Sequence, residues 1–411
     1  MTRSKRLPVL CLTLAGILAS VPFSGANPAL TDQAIGDAVQ DVLKKDPRVP
    51  LKKLGISVTK GVVTLTGEVD DLLAKELAMA IAETVSGVRA VVGILRVIPP
   101  FLETDGEIRG HVEDALTESP ATAFNEVRVT VAGNIVTLTG TVNSWQEKRL
   151  AEEVAKGVKG VTGVNNLLSV RYDRSRPDAE VKADVEWALQ WDTLVDHRTI
   201  GVEVKGRLVK LYGTVGSAAE KRRAVMDAYV TGVTSVDSAR LAVEDKAHDQ
   251  SSRETGYVQK SDEEIRQALV DALLIDPRVR YFNVYPEVSY GSVILHGEVD
   301  NFEAGNAAEQ DARHTVGVKG VENRLRVIPS MYASDSKIED QVRTALLSDP
   351  HLERLPVEVQ VLDGVVKLHG TVDSPFEKRH AADLASRVDG VVGITNDLFV
   401  RSKGSPNGSQ E

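Results

Sequence analysis

Apolar residues along this chain keep two periods that alternate. From residue 32 they fall at Ile35, Val39, Val42 and Leu43, a spacing of i, i+4, i+7 and i+8. That spacing lines one face of a helix. From residue 56 the period drops to two: in ISVTKGVVTLTGEV apolar and polar residues alternate, as two strands with one buried face each require. A second amphipathic helix follows, then a glycine-valine step and a last alternating segment.

The same order recurs five times, over 31–100, 104–173, 177–245, 261–330 and 335–403. The units open with TDQAIGDAVQDVL, TDGEIRGHVEDAL, PDAEVKADVEWAL, SDEEIRQALVDAL and SDSKIEDQVRTAL. An aspartate at each start suits the free N–H groups and dipole of a helix N-terminus. Gly61, Gly133, Gly206, Gly291 and Gly364 fall between the paired strands, where a tight turn needs positive φ. Gly67, Gly140, Gly213, Gly297 and Gly370 are predicted to end the second strand of each unit. Their spacings are 73, 73, 84 and 73, the 84 holding a polar linker at 246–260. The expected fold is α+β: a tandem array of five small αββαβ two-layer sandwich modules. Each has a three-stranded mixed sheet with two helices on one face, the last strand joined by a right-handed crossover.

The pattern helix, V-x-G-x-V-x-L-x-G-x-V, helix, GV-xx-V-x-N-x-L resembles the BON domain, the module of osmotically inducible periplasmic proteins of the OsmY type and of outer-membrane lipoproteins. The resemblance covers about 350 of 411 residues in five copies. The motif asparagine is present as Asn166, Asn323 and Asn396, whereas unit 1 has Gly93 and unit 3 has Ser238. Unit 3 also carries one extra residue before Leu241. Two types of unit are distinguishable. Units 1 and 4 share G-E-V-D and end L-R-V-I-P; units 2, 3 and 5 share G-T-V followed by E-K-R. The order is A-B-B-A-B, and the short connections within 1–2 and 4–5 predict that these A-B pairs pack together.

At the N-terminus, Arg3, Lys5 and Arg6 precede an apolar run from Leu7 to Phe23, and Ser24, Gly25 and Ala26 supply small residues for a peptidase. These features read as a signal peptide over 1–26 cleaved after Ala26, with an uncleaved anchor as the alternative. Cleavage removes three cations and no anions, taking the charge from -10 to -13. That charge argues against nucleic acid as a partner. Cys11 lies in the apolar run, so the mature chain has no thiol for disulfides, nucleophiles or metal ligation. Residues 404–411, rich in Gly, Ser and polar residues, are expected to be a disordered tail.

Candidate chemistry is sparse. Gly157, Gly160 and Gly163 follow a helix and precede a strand, the reverse of a dinucleotide site. His296 and His369 share one repeat position filled elsewhere by Thr66, Thr139 and Tyr212, and no metal site or cofactor is expected. The triplets place Lys148 and Arg149, Lys221 and Arg222, and Lys378 and Arg379 early in second helices. They suit contact with lipid phosphate or anionic polymer, or simply a solvated helix face. Trp145 occupies a position that is Leu72 and Phe302 elsewhere and reads as a core or staple residue. Trp187 and Trp191, four residues apart, replace mostly polar positions on the side of their helix away from the buried stripe. They are expected to form an exposed patch for lipid or a protein partner, or else to pack against a neighbouring unit.

No constellation of catalytic residues recurs, and an enzyme is not expected. The resemblance implies association with phospholipid membrane surfaces and support of the envelope under osmotic stress, from a periplasmic location. Two alternatives stay open: a holdase chaperone for unfolded envelope proteins, and a cell-wall-associated structural module. Whether the units form a rod, a ring or loose beads, and whether the chain oligomerises, is not legible.

Overall fold

A computed structural model describes residues 30–46, 49, 54–99, 103–118, 126–172, 176–244, 260–279, 282–329, 333–349 and 351–401. The predicted signal at 1–26, residues 246–259 of the predicted linker and the tail at 404–411 lie outside the described residues. Each of the five units opens with a helix: Asp32–Lys45, Asp105–Glu118, Asp178–Trp191, Asp262–Ile275 and Asp335–Ser348. The second helices are Leu72–Glu83, Trp145–Lys156, Ala218–Asp227, Phe302–His314 and Pro375–Ser386. In every sheet the second strand of the unit is central, antiparallel to the first and parallel to the last.

Unit 5 shows how the pattern folds. Ile338, Val342 and Leu346 of the first helix meet Val366, Leu368 and Val372 of the central strand, all buried. Ala381 and Ala385 of the second helix close the layer; their small side chains let that helix lie near the sheet. The hairpin turns on Asp363 and Gly364, at φ 51° and 74°. Two successive positive φ values match the right-handed twist of the strands.

The aspartate that opens each first helix lies in the first turn as expected and has a second use. Its carboxylate reaches across the unit and accepts both amide hydrogens of the hairpin turn: Asp32 from Lys60 (2.7 Å) and Gly61 (2.8 Å), Asp335 from Asp363 and Gly364 (2.9 Å each). Asp105, Asp178 and Asp262 do the same in their units. Except in unit 3, where Pro177 precedes the helix and gives no side-chain cap, the helix end is capped by the preceding side chain, as Thr31 and Ser261 cap Ala34 and Glu264. These two amide bonds hold the Asp32 carboxyl below the usual carboxylate range.

A second correction concerns the later glycines. The central strands run on for two residues past Gly67, Gly140, Gly213, Gly297 and Gly370, so these glycines do not end them. Their φ values are 115° to 132°. A Cβ on Gly370 would lie 2.0 Å from the carbonyl oxygen of Pro356, so no other residue fits. The motif asparagine pins the second helix to the last strand. Asn166 donates to the carbonyl of Lys148 (2.8 Å) and accepts from the amide of Leu168 (3.3 Å); Asn323 and Asn396 repeat both bonds. In unit 1, where Gly93 stands at that position, the Met79 side chain occupies the space.

Two kinds of contact join the units. In the first, the start of one second helix packs on the next unit. Leu72 of unit 1 enters the core of unit 2, and Glu76 pairs with Lys156 at 2.7 Å. Trp145 of unit 2 stacks on Tyr229 of unit 3, with ring centroids 4.1 Å apart and planes at 7°. Ala218 of unit 3 enters the core of unit 1, and Arg222 pairs with Glu83 at 2.7 Å. Units 1, 2 and 3 therefore close into a ring. Phe302 of unit 4 packs on the core of unit 5 in the same manner. In the second kind, the last carbonyl of a first helix accepts an amide hydrogen of another unit: Trp191 from Val316 (3.2 Å), Ser348 from Lys159 (3.1 Å). These contacts join unit 3 to unit 4 and unit 5 to unit 2. The predicted A-B pairs do pack together, and the second B unit closes the first pair into a ring.

Candidate binding groove at the junction of units 2, 3 and 4

Where the first helix of unit 3 meets unit 4, a groove of about 710 Å³ opens, with unit 2 along its other side. Trp145 and Arg149 line it from unit 2, Trp187 and Trp191 from unit 3, and Ile275 and His314 from unit 4. The two tryptophans predicted as a patch separate in role. Trp191 is 7% exposed and belongs to the core of unit 4. Its ring lies 4.5 Å from the Lys260 ammonium, a cation-π contact. Of the two positions expected for it, the exposed one is thus corrected and packing on a neighbour holds: unit 4 covers it, because an indole on a mostly polar helix face offers the neighbouring repeat apolar area to bury. Trp187 leans on it at 5.3 Å between centroids and stays 38% exposed on the groove wall. Trp145, read as a core or staple residue, instead makes the contact with Tyr229 between units 2 and 3.

Behind the aromatic wall lie two buried acid pairs in equivalent positions. In unit 3, Asp192 and Asp227 share Arg223. In unit 4, Asp276 and Asp311 sit together beside Arg278, which pairs with Asp276 at 2.6 Å. Burial first, and then the neighbouring carboxylate, pushes Asp227 and Asp311 well above the usual carboxylate range; Arg223 and Arg278 oppose the shift. One carboxyl of each pair keeps its proton where exposed aspartates have lost theirs. Sequence reading missed these pairs, since Asp192 and Asp227 lie in different helical segments with nothing local to join them.

The basic triplets are taken up largely by the fold. Lys148, Lys221 and Lys378 each donate to a carbonyl in the last segment of their own unit, Leu168 (2.7 Å, at a break in the strand), Leu241 (2.6 Å) and Leu398 (2.7 Å). The triplet glutamates accept from the amides before their helices. Arg149 points across to Met226 and lies 5.7 Å from the Trp145 ring centroid, and Arg222 pairs with Glu83. Arg379 is exposed and makes no ion pair among the described residues.

Among the described residues no group of three or more His, Cys, Asp or Glu is placed to hold a metal ion. No helix among them is long and apolar enough to cross a membrane. The groove offers aromatic surface and buried acids, an arrangement suited to holding a partner.

Comparison with known proteins bears on what kind of module this is. Osmotically-inducible protein Y of Escherichia coli is 31% identical over 138 residues, 32% of this chain and 69% of that protein. Outer membrane lipoprotein DolP of Haemophilus influenzae is 31% identical over 144 residues, 34% of this chain and 74% of its own. The C-terminal domain of CdsD, a structural protein of the type III secretion system of Chlamydia trachomatis, aligns over 56% of this chain and 100% of its own at 15% identity. Its TM-score of 0.15 is too low to bear on the comparison. The BON domain pattern itself matches at 31–99, 104–172, 177–245, 261–329 and 334–402. With five such matches over most of its length, the chain belongs to the BON domain family.

Proposed function

We propose that this protein is an exported, non-catalytic binding protein of the cell envelope that associates with phospholipid surfaces and supports the envelope under osmotic stress. The names of its relatives, one osmotically inducible and one an outer membrane lipoprotein, support the setting. The N-terminal pattern supports export and a periplasmic location.

One observation carries the lipid reading. The most exposed large apolar side chains among the described residues, Tyr290 at 87% and Leu362 at 73%, stand at the hairpin tips of units 4 and 5. Tyrosine and leucine at a projecting turn are suited to shallow insertion at the lipid interface. A net charge of -13 without the signal gives no general attraction to anionic lipid, so apolar insertion has to supply the affinity. Two linked weak tips gain by avidity what neither holds alone.

The test is flotation of residues 27–411 with neutral and with anionic liposomes, beside the Tyr290→Ser/Leu362→Ser double variant. The wild type floats and the double variant loses at least about tenfold in partition constant, a loss of about 1.4 kcal/mol. A wild type that stays at the bottom with both lipids, or a double variant that floats equally, defeats the reading.

The groove favours a second reading, a holdase for unfolded envelope proteins. Its aromatic wall is open, and Trp187 offers apolar surface there. Trp187→Ala then weakens suppression of client aggregation while liposome flotation is unchanged.

A further inference from the structure

The ring of units 1, 2 and 3 and the pair of units 4 and 5 are built on one plan, with one place left empty. In the ring, unit 1 is held at both ends by cations. Lys156 of unit 2 meets Glu76 and Arg222 of unit 3 meets Glu83, each at 2.7 Å. Counted from the glycine of the central strand, the residues equivalent to Lys156 and Arg222 in the pair are Arg313 of unit 4 and Arg379 of unit 5. The setting of Lys156 is repeated too. Lys156 pairs with Glu152 one turn earlier at 2.6 Å, and Asn166 donates to that carboxylate. Arg313 pairs with Glu309 at 2.6 Å, and Asn323 donates to that one. Both cations are thus in position, yet Arg313 and Arg379 are exposed, and among the described residues neither makes an ion pair with another unit.

Other edges of the empty place agree. Leu72, Trp145, Ala218 and Phe302 start their second helices and each packs on a neighbouring unit. The fifth member of that set, Pro375, is exposed. Unit 1 also touches unit 5, where His351 lies 3.7 Å from Asp71. The reciprocal contacts of Trp191 with Val316 and of Ser348 with Lys159 exchange unit 3 with unit 5 and unit 4 with unit 2. Under that exchange His351 becomes Leu194, an apolar side chain 56% exposed. Empty seat and occupied seat therefore match in cations and helix start, and differ at the flank, where Leu194 stands in place of His351.

We propose that the pair of units 4 and 5 is a docking seat for a sixth module of this same fold, carried on another polypeptide and presenting carboxylates at the positions of Glu76 and Glu83. Charge decides the type. Two copies that docked unit 5 directly on unit 4 would set Arg379 against Arg313, a repulsive contact. The equivalent residues in units 2 to 5 are Arg149 and Lys156, Arg222 and Tyr229, Asn306 and Arg313, Arg379 and Ser386. Only unit 1 has acids at both, so the unit 1 of a second copy is the natural probe.

In the unaltered chain that probe is already seated. The full chain carrying Lys156→Glu and Arg222→Glu repels its own unit 1 and frees it for the seat of another copy. Sedimentation velocity is then measured from low to high micromolar protein, with circular dichroism confirming the fold and Lys156→Gln/Arg222→Gln as a milder companion. The expected result is concentration-dependent association of the freed variants. Adding Arg313→Glu and Arg379→Glu weakens it tenfold or more. Three results overturn the proposal. In one, neither freed variant associates. In another, association survives the change at Arg313 and Arg379. In the third, the unaltered chain self-associates through those two arginines, which makes the occupant the 4–5 pair of another copy.

Discussion

The junction of unit 3 with unit 4 and that of unit 5 with unit 2 share one backbone hydrogen bond but are finished by different side chains. At the first, Trp191 is buried in the neighbouring core and Arg223 holds two aspartates. At the second, the equivalent of Trp191 is Ser348, His380 takes the place of Arg223 on Asp349 (2.7 Å), and Lys159 bridges Glu103 and Glu353 at 3.1 and 2.7 Å. One junction is held by apolar burial, the other by ion pairs at a partly wet edge. The repeat thus sets where units touch, and the side chains set how firmly they hold under a given pH and salt.

That difference is open to measurement. Trp191→Ala has the largest expected effect, a loss of about 3–5 kcal/mol at the first junction, since a buried indole leaves a cavity. Urea unfolding reads it, and Ser348→Ala at the second junction changes stability by less than about 0.5 kcal/mol. Equal losses at the two sites would end the distinction. Next come the buried acids. Asp227 and Asp311 have folded pKa values raised by burial and by their partner carboxylates. The folded chain therefore binds more protons than the unfolded one between the unfolded value, about 3.9, and the raised folded value. Stability falls as pH rises through that window, and the cost is complete above it. Asp311→Asn and Asp227→Asn are accordingly more stable than the wild type at pH 8, and the advantage disappears near pH 3. A thermal-melt series over pH checks this, and an advantage independent of pH would contradict it.

Lys159→Ala removes two partly buried ion pairs and costs about 2 kcal/mol at low salt, less in 1 M salt because the edge is screened. Trp191→Ala shows no such salt dependence. If both variants respond alike to salt, the two junctions do not differ in the way described. The smallest effect is that of Trp187→Ala, within about 0.5 kcal/mol on unfolding, because its ring stays on the groove wall.

Much of the module was legible. The stripe through Ile35, Val39 and Leu43 and the alternation through Val63 and Leu65 are buried where their periods place them. The turn glycines take positive φ. Residues with two uses were harder to read. The aspartate opening each helix suits a helix N-terminus equally well, and only the folded unit brings it to turn amides 28 and 29 residues away. Lys148 reads as an exposed cation, yet its ammonium ends on the carbonyl of Leu168, 20 residues on. Trp187 and Trp191 share a helix face in the sequence, and the neighbouring unit separates them by covering one and leaving the other open.

The sequence by itself determined the module, its number, its order of elements and its core, because each depends on apolar periodicity and turn chemistry within about 70 residues, repeated five times. Only the tertiary structure decided the ring, the reciprocal junctions, the buried acid pairs and the groove. These rest on polar side chains such as Glu76, Arg222 and Asp311, which in a linear sequence are indistinguishable from ordinary polar surface. The partners of Glu76 and Arg222 lie on other units and that of Asp311 lies 35 residues away in its own, at separations that no local period marks.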